Sequence, residues 1–207
     1  ELSNKFNFTL IHISTDYVFD GKKKKYYTEN DHTYPLSHYG SSKLLGEKVI
    51  VNSAKNFIII RVSGLYSHFD ASFLHKILLK GIKQKVLTIV NNNFFFPTYS
   101  FDLSRVLWII VTENSNIKLN EIYHYTGHEQ SISWFDFAKK IFKYSENYID
   151  TKIDLKPINS MYIKEKVIRP LNSCLSNKKI NSFFSTNENL DENIQESVSL
   201  FFKNFKR

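Results

Sequence analysis

Cysteine, methionine, proline and glycine are all scarce in this sequence: one, one, four and six residues out of 207. The lone Cys174 has no second cysteine to pair with and no cysteine or histidine at zinc-like spacing. A disulfide-built secreted scaffold and a structural zinc site are therefore excluded, no metal is expected, and a cytoplasmic setting is the default. Long apolar runs are missing too. The longest, Val106 to Val111, has six residues, far short of the roughly 18 that would point to a membrane span. An initiator methionine is also absent. The chain opens at Glu1 and soon enters the apolar run Phe8 to Ile13, which reads as a segment of a longer protein, so a targeting signal would lie upstream.

Aromatic residues, by contrast, are plentiful. With 18 Phe, 12 Tyr and 42% apolar residues the chain has ample core material, which excludes general disorder and suits one globular domain or a large piece of a somewhat bigger one. The formal charge of +8 is compatible with nucleic acid, an anionic membrane surface or a small phosphorylated ligand. Basic residues are dispersed among acids except at Lys22 to Lys25. That run has no zinc-finger or ribonucleoprotein-type motif beside it, so it reads as a solvated loop and neither nucleic acid nor membrane is expected as a partner.

Phe8 to Ser14 is nearly continuous in apolar and β-branched residues, the pattern of a strand buried on both faces of a parallel sheet, and Phe57 to Ser63 repeats it. Between them Tyr34-Pro35 disfavours helix, and Ser37 is placed to cap a helix from about His38 to Val51. Strand, loop, helix, strand predicts an α/β fold with a parallel sheet. Downstream the pattern predicts a helix from Ser72 to about Lys80, a strand Val86 to Val90 and a helix capped by Asp102 and running through Val111. It continues with a strand Glu121 to Thr126, a helix opened by Ser133 and Asp136 in a capping-box-like arrangement, and a last helix near Asn189 to Lys203 with Ile194, Val198 and Phe201 on one stripe. The aromatic stripes read as core packing.

In parallel α/β sheets ligands collect beyond the carboxyl ends of strands, which draws interest to Ser14-Thr15-Asp16-Tyr17. Local capping accounts for Ser14 and Asp16 as readily as a ligand does. The following helix carries Tyr39 and Lys43, which at i and i+4 share one face. A free phenol is a poor proton shuttle at neutral pH, but a cation about 4 Å away stabilises the phenolate by up to ~4 kcal/mol, making such a pair a general acid or base. Tyr148/Lys152 and Tyr162/Lys166 have the same spacing. Only Tyr39/Lys43 follows a buried strand that ends in Ser-Thr, so the other two tyrosines read as surface residues.

Ser14 to Gly21, followed by Pro35 to Lys48 with its Tyr39-Gly40-Ser41-Ser42-Lys43 core, closely resembles dTDP-4-dehydrorhamnose reductases of the extended short-chain dehydrogenase/reductase superfamily. The resemblance continues through Phe96-Pro97-Thr98, Ile122-Tyr123-His124 with Gly127, Trp134 to Ala138 and Arg169 to Leu175. It implies a Rossmann-like parallel sheet, partial because its first βαβ units are missing, with a small C-terminal α/β substrate-binding region. Residues 1–90 would be the later part of the NAD(P)-binding domain with the catalytic residues, and 91–207 mainly the substrate region interleaved with it. The implied reaction is reduction of the C4 keto group of a dTDP-4-dehydro-6-deoxyhexose by NADPH or NADH. Carried over, Tyr39 is the proton donor, and Lys43 eases its ionisation and holds the nicotinamide ribose. Ser14 joins the cofactor contacts, Thr15 hydrogen-bonds the reacting carbonyl, Asp16 contacts the sugar, Tyr17 lines the pocket and Arg169 reaches the diphosphate.

Two departures qualify this. The dinucleotide fingerprint needs closely spaced glycines, yet the closest pair here, Gly40 and Gly46, is six apart. The implied partner is the phosphate-binding N-terminal half of the same protein, and a homodimer is a further assembly to test. The second departure is Gly64, where rhamnose-forming enzymes typically carry a substrate-contacting tryptophan; glycine predicts a roomier, less selective pocket unless a neighbour such as Tyr66 or one of Phe94 to Phe96 fills the space. A non-catalytic relative such as the β regulatory subunit of methionine adenosyltransferase, or an inactive fragment, is the competing reading; intact Thr15, Tyr39 and Lys43 favour the enzyme.

Overall fold

A computed structural model describes residues 1–69, 72–112, 116–150, 152–163, 168–184 and 188–205. In chain order these form helix α1 (Leu2–Phe6), strand β1 (Leu10–Thr15), a 3-10 turn (Asp16–Val18), helix α2 (His38–Ser53), strands β2 (Phe57–Val62) and β3 (Leu65–Tyr66), helix α3 (Phe73–Lys83), and strands β4 (Val86–Val90), β5 (Phe94–Phe95) and β6 (Thr98–Tyr99). Helix α4 (Ser100–Thr112), strands β7 (Glu121–Tyr125) and β8 (Ile132–Ser133), helix α5 (Trp134–Ser145), strand β9 (Asp154–Ile158) and helix α6 (Leu190–Phe205) follow, with two further 3-10 turns at Ser160–Tyr162 and Ile180–Ser182.

The sheet that carries the site has the order β1-β2-β7, all parallel. β2 is central, and its six residues are all buried, as its unbroken apolar run requires. β1 differs from expectation. It begins at Leu10, Phe8 is exposed, and Leu10 to Ile13 are only half-buried. Its position at the sheet edge is the reason: a strand paired on one side lacks the neighbour that would cover it. One face of the sheet, with Ile11, Ile13, Ile58, Ile60, Tyr123 and Tyr125, packs on Leu103 and Val106 of α4. The other face, carrying His12, Arg61 and His124, turns toward α2.

A second core joins α3, α5 and α6 to β3, β4, β5 and β6. Leu74, Ile77 and Leu78 meet Phe137, Ala138 and Ile141, and the expected stripe Ile194, Val198 and Phe201 is buried among them. Helix starts follow local chemistry. Ser37, Ser72 and Ser133 each accept a backbone N–H three residues on, from Gly40, His75 and Asp136. Asp102 does not cap its helix. α4 begins at Ser100, and Asp102 is buried in its first turn, paired with Arg105 and accepting from Asn193. β9 had no counterpart in the sequence reading. It pairs in parallel with β4, with Leu87 opposite Leu155, and its charged residues and Pro157 are tolerated because it lies on one side of a two-stranded sheet.

Candidate active site

The carboxyl ends of β1 and β2 meet the start of α2. Thr15 extends from β1 into the 3-10 turn, and its Oγ1 accepts the Tyr17 amide at 3.2 Å while its hydroxyl donates to Asp16 Oδ1 at 3.0 Å. Asp16 Oδ2 lies 3.0 Å from Ser63 Oγ at the end of β2. Burial pushes the Asp16 carboxyl up to about 6, opposed by hydrogen bonds from Ser173, Thr15 and Ser63. Ser14, beside them, is buried, and its hydroxyl has no partner among the described residues.

α2 reaches this turn because residue 40 is glycine. A Cβ there would stand 2.2 Å from the Tyr17 carbonyl oxygen, so only a bare Cα lets the first helical turn press onto the 3-10 turn. The approach brings Tyr39 edge-on to Tyr17, with ring centroids 5.9 Å apart. Tyr39 is 53% exposed, open to a ligand from solvent. One turn further on, Lys43 donates from Nζ to the Ile13 carbonyl at 2.6 Å. An ammonium has three protons, so the anchor to β1 leaves donors for a second partner. Thr15, Asp16, Tyr17, Tyr39 and Lys43 are therefore one constellation.

Beneath it lies a buried ionic network for which the sequence reading assigned no roles. Arg61 grips Glu47 of α2 with two parallel bonds, Nε to Oε1 at 2.9 Å and Nη2 to Oε2 at 2.7 Å, both side chains almost fully buried. The guanidinium also lies 5.2 Å from the centre of the Phe19 ring, which in turn stacks on Tyr27 at 4.2 Å. His124 of β7 completes it. Burial, with the Arg61 charge adding to it, drives this imidazole down to about 3, so it is neutral. Its Nε2 faces Arg61 Nη1 at 3.4 Å and must accept, which leaves Nδ1–H to donate to the Tyr27 carbonyl at 3.2 Å. The available signal was an arginine inside the apolar run of β2 and an acid one turn beyond Lys43.

Other sequence candidates sit differently. Gly64 has φ +52°, and a Cβ on it would lie 2.1 Å from the Phe95 ring. Phe95 is itself buried and stacked on Trp134 at 3.9 Å. Phe95, one of the neighbours that could fill this space, does fill it, so the condition for a roomier pocket is not met, and glycine is required here by backbone conformation and by the ring against it. Arg169 is exposed on the segment that leads to Pro170, which packs against Gly21. Tyr148 stacks on Phe202 at 4.6 Å, and Tyr162 is 73% exposed; Lys166 lies outside the described residues. Among the described residues there is no cluster suited to a metal ion and no helix long and apolar enough to cross a membrane.

A parallel α/β sheet whose first strand ends in Ser-Thr, followed by a helix presenting Tyr39 and Lys43, defines a Rossmann-like protein of the extended short-chain dehydrogenase/reductase class. Within that class the chain belongs to the family described as the RmlD substrate binding domain, whose model matches residues 1–205. A dTDP-4-dehydrorhamnose reductase of Aggregatibacter actinomycetemcomitans is 33% identical over 189 residues, covering 89% of this chain and 64% of that protein. The crystal structure of a dTDP-4-dehydrorhamnose reductase from Clostridium acetobutylicum superposes with a TM-score of 0.83 at 29% identity, covering 96% of this chain and 68% of the other. The enzyme of that name from Bacillus anthracis, in complex with NADP, gives 0.80 at 28% identity, with coverage of 98% and 68%. The chain thus spans less than two thirds of the length of the curated relative.

Proposed function

We infer that the protein reduces the C4 keto group of a dTDP-4-dehydro-6-deoxyhexose with NADPH or NADH, and that this chain supplies the proton donor and the substrate side of the site. The observation that carries the reading is Tyr39 and Lys43 on one exposed helix face against the Thr15 strand end, in a chain whose relatives bear that enzyme name. Tyr39, Lys43 and the buried Ser14 hydroxyl, which has no partner among the described residues, suit the ribose end of a nicotinamide dinucleotide. When bound, that group supplies a hydride to the carbonyl carbon. The chain's own part is the proton. Tyr39 gives its hydroxyl proton to the carbonyl oxygen, and the resulting phenolate is stabilised by the Lys43 ammonium one turn away. Thr15 holds the same oxygen, Asp16 and Tyr17 bound the sugar, and Arg169 is assigned to the diphosphate. Residues 1–90 carry the proton chemistry together with the Thr15 to Tyr17 contacts, and 91–207 form mainly the substrate-binding region interleaved with them.

The test is turnover of dTDP-4-dehydrorhamnose with NADPH by the complete gene product and by its Tyr39→Phe variant. General acid catalysis contributes roughly 100- to 10,000-fold; Tyr39→Phe should lose at least about 100-fold in kcat while folding normally, because the ring is half in solvent. Tyr148→Phe and Tyr162→Phe should be silent. Unchanged turnover in Tyr39→Phe would remove the assignment.

A further inference from the structure

Ser63 Oγ lies where four chain segments meet. It is 3.0 Å from Asp16 Oδ2, 2.9 Å from the Ser173 carbonyl oxygen and 3.3 Å from the Phe96 amide nitrogen. Ser63 is fully buried and Asp16 nearly so. The amide brings a proton of its own. The two oxygens bring none if Asp16 is ionised, and a hydroxyl has only one to give. Ser63 could then satisfy Asp16 or Ser173, but it would face the other lone pair to lone pair across about 3 Å. Both contacts hold a proton only when Oδ2 carries one. Asp16 then donates to Ser63, Ser63 donates to the Ser173 carbonyl, and the Phe96 N–H fills the remaining lone pair of Ser63.

Asp16 also accepts the Thr15 hydroxyl on its other oxygen and a side-chain hydrogen bond from Ser173; both favour the ionised form, and burial outweighs them. A hydrogen bond to a carboxylate is roughly twice as strong as one to a neutral acid, so an ionised Asp16 would hold the Thr15 proton firmly against any other acceptor. We propose that Asp16 is a positioning residue that works as a neutral acid, pinning Ser63 with its own proton and leaving the Thr15 hydroxyl proton free to turn to the substrate carbonyl. This rests on the reductase reading and deepens it. Burial raises the Asp16 carboxyl to about 6, which is consistent with a proton retained in mildly acidic solution. The titratable groups on the surrounding elements do not oppose this. Arg61 is forked onto Glu47, and the Lys43 ammonium is anchored at Ile13. Tyr39 edges onto Tyr17, and burial pushes the Cys174 thiol up to about 11, so it is neutral.

The proton is tested on this chain by following the Asp16 side-chain carboxyl carbon by NMR against pH. A midpoint near 6 is expected, and Ser63→Ala should move it down, because the neutral acid loses its acceptor. A wild-type midpoint at the ordinary aspartate value of about 4, or an upward shift in Ser63→Ala, means that Ser63 donates to a carboxylate and overturns the proposal. Asp16→Asn keeps the test open if Ser63→Ala does not fold. Its amide reproduces the donor and acceptor of the neutral acid. A carboxyl whose folded value is raised holds its extra proton in the native state, so wild type should lose thermal stability relative to Asp16→Asn as pH rises from about 4 to about 6. An Asp16→Asn variant less stable than wild type throughout that range overturns the proposal. In the complete gene product, kcat/KM for the keto sugar should fall as Asp16 ionises in wild type and stay flat across the same range in Asp16→Asn; a flat wild-type profile overturns the link to Thr15. A gene product with no reductase activity refutes the functional reading and that link with it, while the NMR midpoint still decides where the proton sits.

Discussion

Glu47 and Arg61 sit below the reactive face and hold α2 to β2 by a bidentate pair almost wholly out of water. The net contribution of such a pair to stability is small, because desolvation offsets attraction, but removing one partner strands the other charge. Glu47→Leu should therefore destabilise the fold by about 3 to 5 kcal/mol, measured by urea unfolding. Glu47→Leu with Arg61→Met should recover most of that loss, since two apolar groups replace two charges. If the double variant recovers stability without recovering turnover, the pair fixes the helix orientation that Tyr39 and Lys43 need. A double variant as unstable as the single one would show that Arg61 is held chiefly by Phe19 and His124 instead.

At the scale of elements, much of the fold was legible in the sequence. β2, α2, α3, β4, α5 and α6 lie close to where period, caps and Pro35 put them, because each is fixed by its own residues: an unbroken apolar run, a serine cap, a stripe. The misreadings have tertiary causes. β1 looks like β2 as a string of letters, yet it is half-buried because burial depends on a neighbour that the string does not contain. Asp102 resembles a cap, but it is itself buried, and its partners Arg105 and Asn193 draw it into the helix. The gathering of Thr15, Tyr39 and Lys43 at the end of β1 was legible through spacing and context. Ser63 was not, because its role depends on Asp16, Phe96 and Ser173 arriving from distant parts of the chain. Gly40 gives a test at this scale. In an open helix Gly→Ala would gain up to about 1 kcal/mol. Here the added carbon meets a backbone carbonyl at 2.2 Å, which cannot rotate aside, and overpacking of this kind costs about 1 to 3 kcal/mol. Gly40→Ala should thus lower stability by up to about 2 kcal/mol, the cost left after the full helix gain is subtracted, and should lower kcat more than it raises KM as Tyr39 is pushed off the 3-10 turn. A stabilised variant with normal turnover would show that the turn yields readily.

At the scale of the whole molecule, two features of this chain act against each other. β1 presents an edge whose residues are half-exposed, and an unpaired strand edge is a template for pairing with another chain. The charge of +8 repels a second copy over a distance set by ionic strength, about 30 Å at 0.01 M and about 3 Å at 1 M salt. Repulsion should prevail at low salt and edge pairing at high salt, so the chain alone should sediment as a monomer at about 0.01 M salt and as larger species toward 1 M. No closely spaced glycines are present to bring backbone amides and a helix amino terminus onto a pyrophosphate. On the proposed assignment, Tyr39, Lys43 and Ser14 hold the ribose end alone. Calorimetric titration of this chain with NADPH should show binding weaker than about 1 mM, corresponding to no more than about 4 kcal/mol, and low salt, which keeps the chain monomeric, should not bring it to micromolar. Micromolar affinity would mean that some other set of amides, such as those of the 3-10 turn after Thr15, receives the phosphates.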